Sequence, residues 1–150
     1  MLGYAVWHAQ ALEHTLAHYV ALSFRISALG SREEFDRVLH SVRKMTLGNL
    51  LADLRERTEV SADLTERLGA FVDDRNWLAH RMFYDHHADL FSPAKAAALS
   101  SRVQGIGDRA LALNKEIGAL LDQTVLAWGV PEADFEAQAK KLFESWRDDV

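Results

Sequence analysis

Residues 61–84 read SADLTERLGAFVDDRNWLAHRMFY, a proline-free run that the sequence predicts to be one helix opened by Ser61. On a helical wheel of about 100° per residue, Leu64, Leu68, Phe71, Val72, Leu78, Ala79 and Met82 form one apolar stripe. Arg75 falls in the middle of that stripe. A guanidinium keeps its proton and is costly to bury unpaired, so it must snorkel, meet a carboxylate or face a polar cleft. Glu13, on the first helix, is a carboxylate that could meet it. Trp77, His80, Phe83 and Tyr84 project from the opposite side, an aromatic and imidazole surface that one chain's own core leaves uncovered. A helix with two apolar sides and a charge between them belongs at the centre of an all-α fold. The conflict with simple core packing marks the place to look for function.

On either side of this run the helical period continues. Gly3 to Ala28 reads as a first long helix with Val6, Ala9, Leu12, Leu16, Tyr19, Val20, Phe24 and Ile26 on its apolar side. Gly30 ends it, and Ser31-Arg32-Glu33-Glu34 is a capping-box signature for a second helix carrying Phe35, Val38, Leu39 and Val42. Thr46 caps a short insert through Leu50, Leu51 and Leu54. After the central helix, Asp85-His86-His87-Ala88-Asp89 reads as a polar turn. Ser92-Pro93 opens a fourth helix running to Trp128, whose Gly105, Gly107 and Gly118 permit close approach or a kink. Gly129-Val130-Pro131 stops it, and Asp134 to Trp146 is a last amphipathic helix. The expected architecture is all-α: one domain over residues 1–150, an antiparallel four-helix bundle with a short extra C-terminal helix.

At 150 residues the chain suffices for one sizeable core. It has no cysteine, which excludes disulfides and zinc-thiolate sites and fits a reducing cytoplasm. No apolar run is long enough to span a bilayer, and no basic region precedes the first apolar residues, so neither a membrane partner nor a secretory leader is expected. The formal net charge of −5 argues against broad electrostatic binding of nucleic acid but leaves room for a local basic cleft. Acids and bases balance from Arg25 to Arg81, whereas the chain from Glu132 onward is net acidic, so any RNA-facing surface should lie on the middle helices. Arg37, Arg43, Lys44, Arg55, Arg57 and Arg81 are the candidates for phosphate-backbone contacts there, against the plainer reading of a solvated face. His14 and His18 have metal-ligand spacing, but no third ligand is spaced to match, and the simpler reading is a His-rich polar face; no metal or cofactor is expected.

Arg75, Asn76 and His80 offer compact chemistry. The Asn amide is spaced to orient the imidazole one turn on, and the guanidinium fork suits phosphate oxygens. An imidazole beside such a cation can move the proton of a ribose 2′-hydroxyl or of a leaving 5′-oxygen while the cation steadies the phosphorane charge. On a straight helix Arg75 and His80 lie about 140° apart, so one helix aims them poorly and two copies across a two-fold axis would aim them better.

Arg-Asn-x-x-x-His near the end of a helix in a small all-helical chain resembles the HEPN superfamily (higher eukaryotes and prokaryotes nucleotide-binding). The resemblance rests on six residues. It implies a metal-independent endoribonuclease with Arg75, Asn76 and His80 as catalytic residues, formed at a homodimer interface. It also implies a toxin–antitoxin or phage-defence setting, with RNA as substrate and a cognate antitoxin, nucleotidyltransferase-like or other, as partner. Trp77, Phe83 and Tyr84 are the expected dimer contacts. In one subgroup a Tyr two residues after the His is modified by the antitoxin; here that position is Met82, and the nearest hydroxyl is Tyr84. Phosphate-binding glycine loops, dinucleotide-binding patterns and serine-nucleophile motifs are absent from the sequence. Two other classes stay open: a non-catalytic helical adaptor binding nucleotide or protein, and an immunity-type partner protein.

Overall fold

The computed structural model describes residues 1–26, 32–57 and 60–129. Every regular element among them is helical, as the periodicity implies. α1 spans Leu2–Val20 and passes into a π turn, Ala21–Arg25; α2 spans Arg32–Arg43, and α3 spans Leu47–Arg55. α4 spans Ala62–Asn76 and runs through a second π turn, Trp77–Arg81, into α5, Met82–His86. A 3-10 turn, His87–Phe91, leads to α6, Pro93–Ala127. The Gly30–Ser31 boundary and the expected helix from Asp134 to Trp146 lie outside the described residues.

The helix starts follow from their caps. Thr46 accepts the Asn49 N–H at 3.3 Å and Ser61 accepts the Leu64 N–H at 3.2 Å, each satisfying a first-turn donor that has no partner inside its helix. Ser92 is extended and Pro93 takes the first helical position, but the Ser92 hydroxyl makes no cap bond; its carbonyl accepts from Ala96 instead. Gly129, at φ +77°, ends α6 in the left-handed region that glycine enters without steric cost. The segment expected as a polar turn at 85–89 is helical. Asp89 accepts from His86 Nδ1 at 2.8 Å and from Lys95 Nζ at 2.9 Å, which ties the 3-10 turn to the start of α6.

The core is one cluster drawn mainly from α1, α3, α4 and α6, with Leu39 and Val42 added from α2. Leu12, Leu16 and Val20 meet Leu50, Leu54, Leu64, Leu68, Phe71, Ile106 and Ile117, all essentially without solvent exposure. Each such side chain contributes roughly 1.5–3 kcal/mol of burial before conformational entropy is set against it. α1 and α6 form the most extensive pairing. Gly107 makes it close: a Cβ there would sit 2.6 Å from the Tyr4 ring and 3.1 Å from Ala5 Cα. Gly118 has open space around it, and Gly105 meets only the end of Arg109, so of the three glycines only Gly107 serves helix approach.

Helix directions depart from the expected alternation. Met1, Tyr4 and Ser23 on the α1 side bond Ser100, Asp108 and Thr124 in that order, so α1 and α6 run the same way. Along α4, Arg67, Asp74 and Trp77 meet Glu116, Arg109 and Arg102, so α4 runs against α6. The reason is α3. Leu47, Leu50, Leu51 and Leu54 bury its apolar side, so the presumed insert is a core helix that reverses the chain once more before α4.

Candidate active site

A cleft of about 490 Å³ opens where α1, the start of α3 and the end of α4 converge. Glu13 lines it from α1, residues 45–48 from the α2–α3 junction, and Val72, Arg75, Asn76 and His80 from α4 and its π turn. The three residues of the motif therefore share one cavity within one chain.

The π turn is what gathers them. The Met82 N–H bonds Trp77 O five residues back, and Arg81 takes up the extra residue at φ −119°. A π turn fits one more residue than an α turn, so each advances roughly 80° rather than 100°. Arg75 and His80 then lie roughly 80° apart instead of about 140°. The straight-helix argument for a second copy to aim the two groups is thus replaced by a local backbone feature. The same offset breaks the expected side-chain pairing: among the described residues Asn76 and His80 form no hydrogen bond with each other, although both line the cleft.

Arg75 resolves its place in the apolar stripe through α1. Its Nε donates to Glu13 Oε1 at 2.7 Å, and both side chains are about one-third exposed. The carboxylate anticipated from the sequence is the one it meets. This bond occupies Nε and fixes the guanidinium plane, while the two terminal nitrogens make no hydrogen bond among the described residues. The first turn of α3 forms the far wall, and its backbone N–H groups carry the partial positive charge of a helix start. His80 is exposed on the rim.

The remaining predicted residues divide. Trp77 is not an outward-facing dimer residue: it is only 9% exposed, with Arg102 stacked 3.6 Å over its ring and His86 edge-on at 5.6 Å. Its N–H still makes the ordinary α-helical bond to Asp73 O, so Arg102 and His86 cover it from outside α4, packing that the wheel of one helix cannot show. Phe83 and Tyr84 are 72% and 82% exposed, as expected for that surface. Among the basic residues, Arg37 and Lys44 lie on the exposed side of α2 and the turn after it. Arg55 lies against Gly69, Arg57 over the Phe24 ring at 4.8 Å, and Arg81 pairs with Asp85 at 3.2 Å. Arg43 is exposed as well, and its guanidinium turns toward α1 to meet His14 and His18. His14 and His18 do converge, but on a guanidinium, and no group of three metal-ligating side chains gathers among the described residues.

The residues at 45–48 and the π turn escaped the sequence reading. Arg75 and Trp77 both precede the widened turn, so neither of them marked the break in helical phase. No protein-family model, curated protein or solved structure matches the chain.

Proposed function

We propose that the chain is a metal-independent endoribonuclease that cleaves RNA by attack of the neighbouring 2′-hydroxyl. The observation that carries this reading is the single cleft holding Arg75, Asn76 and His80, with Glu13 behind the guanidinium. In this mechanism the terminal nitrogens of Arg75 bind the non-bridging oxygens of the scissile phosphate and hold the charge that builds as the 2′-oxygen bonds to phosphorus. His80 moves the proton, either from the 2′-hydroxyl or to the departing 5′-oxygen. The 5′-oxygen leaves with a hydrogen, and the phosphate closes as a 2′,3′-cyclic diester. The proton transfer that His80 does not carry is made by solvent water, so the 2′-hydroxyl loses one proton and the 5′-oxygen gains one. Glu13 acts as a positioning residue, and the amide of Asn76 is placed to contact the substrate.

The setting follows from the resemblance to HEPN ribonucleases: a toxin of a toxin–antitoxin or phage-defence system, active as a homodimer and restrained by a cognate antitoxin. Support for a second copy comes from the apolar side chains left exposed near the site, Phe83 and Tyr84 above all. No helix among the described residues is long and apolar enough to cross a membrane.

The test is incubation of purified protein with total RNA in excess EDTA. Cleavage should persist in chelator and fall at least about 100-fold in His80→Ala. RNA left intact by soluble, folded wild-type protein would move the reading to a non-catalytic nucleotide-binding adaptor that uses the same cleft.

A further inference from the structure

Beside the cleft lies a second cavity of about 310 Å³ between α1 and the end of α2. Glu13, Met45 and Leu47 line both, so the two are neighbours that share these side chains as a common wall. Its size falls within the range of small-molecule pockets. Ala17, Leu47 and Leu50 give it an apolar floor, and Gln10 adds an amide.

The cation in this cavity is Arg43, and its surroundings are unlike those of the chain's other paired arginines. Arg25, Arg67, Arg75, Arg81 and Arg109 each meet a carboxylate. Arg43 instead directs Nη2 at two imidazoles, His18 Nε2 at 3.2 Å and His14 Nε2 at 3.5 Å. A guanidinium has no acceptor, so both ring nitrogens must receive from it and both rings are neutral in this arrangement. His18 completes the pattern by donating Nδ1–H to His14 O at 2.8 Å, which fixes its tautomer. Burial is the leading cause that lowers the pKa of both histidines, in keeping with neutral rings at neutral pH. Two neutral acceptors hold the guanidinium in place without cancelling its charge. An uncancelled, oriented fork in a groove with an apolar floor is suited to a phosphodiester with a base beside it.

We propose that this cavity is a second RNA subsite, in which Arg43, held by His14 and His18, takes the phosphate next to the one gripped between Arg75 and His80. The assignment rests on the ribonuclease reading for its substrate class: single-stranded RNA at least two phosphates long.

The test is equilibrium binding of a fluorescein-labelled, mixed-sequence 2′-O-methyl RNA decamer, which lacks the nucleophile, at several salt concentrations. Wild type should bind, and Arg43→Gln should bind at least about ten-fold more weakly at low salt. The slope of log affinity against log salt should shrink by about 0.7, the value for one phosphate contact on a single strand. A circular dichroism melt of Arg43→Gln serves as the folding control. Gln10→Ala reports on the cavity and should weaken binding without changing the slope, whereas Lys115→Gln, on the exposed side of α6, controls for general surface charge and should leave both unchanged. Decamer binding that needs Arg43, alongside a wild type that cleaves no RNA, would support the subsite and overturn the nuclease reading alone. An unchanged slope in folded Arg43→Gln, or no binding by wild type, would overturn the subsite.

Discussion

At the scale of single residues, the Glu13–Arg75 pair links fold to chemistry. It spans α1 and α4, yet both partners are partly exposed, so its stability contribution should be small, under about 1 kcal/mol. Its effect on catalysis should be larger, because it sets the plane in which the guanidinium meets phosphate. Glu13→Ala is expected to lower kcat about ten-fold with little change in melting temperature, measured on one RNA oligonucleotide; a large loss of stability with unchanged kcat would make the pair structural. Arg75→Lys should recover little activity, since a point charge lacks the fork. The His14–His18 pair gives a pH dependence with a definite sign. Their folded pKa values are lowered first by burial and also by the charge of Arg43, with Glu13 the carboxylate sharing the same cavity. The unfolded chain therefore binds these protons at higher pH than the folded one. Their stabilising effect is full above about pH 6.5 and is lost as pH falls through the lower folded values. Melting temperature should drop between pH 7 and 5.5, and drop less in the double variant His14→Gln, His18→Gln. Equal drops in the two proteins would contradict this.

At the scale of elements, the π turn at Trp77–Arg81 carries the site, and it was the least legible part of the sequence. The stripe of Leu64, Leu68 and Phe71, the Ser61 and Thr46 caps and the Glu13 partner could all be read, because each depends on local spacing or simple charge balance. A π turn depends on which backbone bonds win once Trp77 has packed against His86 and Arg102, and that is a tertiary matter. The same blindness put Trp77 on the surface. Deleting Arg81, the residue that absorbs the extra length, should restore a continuous α-helix and leave Met82 onward in place. His80 would then swing back to about 140° from Arg75 and out of the cleft. The deletion should lose activity at least about 100-fold, as His80→Ala does, whereas Arg81→Ala should keep most of it. A deletion variant that folds and cleaves normally would show that the π turn is incidental.

At the scale of the whole molecule, the all-helical class was legible, whereas the path was not, because a nine-residue α3 looked like an insert and is in fact part of the core. It places the start of α3 against Arg75 and sends α6 alongside α1 in the same direction. Outside that core, Trp7, Phe83, Tyr84 and Phe91 are 70–89% exposed, with Phe83 and Tyr84 adjoining each other just after the π turn. Light scattering at micromolar concentration should give twice the 16.9 kDa chain mass, and Phe83→Asp with Tyr84→Asp should halve it; a wild-type monomer would remove the dimer from the account. The central claim is that Arg75 and His80 act on one phosphate using the substrate's own 2′-oxygen. The measurement that tests it most directly is end-group analysis of a defined RNA oligonucleotide cleaved in EDTA, beside a copy bearing 2′-deoxyribose at the cut. The account requires a 2′,3′-cyclic phosphate, a free 5′-hydroxyl and a resistant deoxy copy. A 5′-phosphate product, or equal cleavage of the deoxy copy, would contradict it.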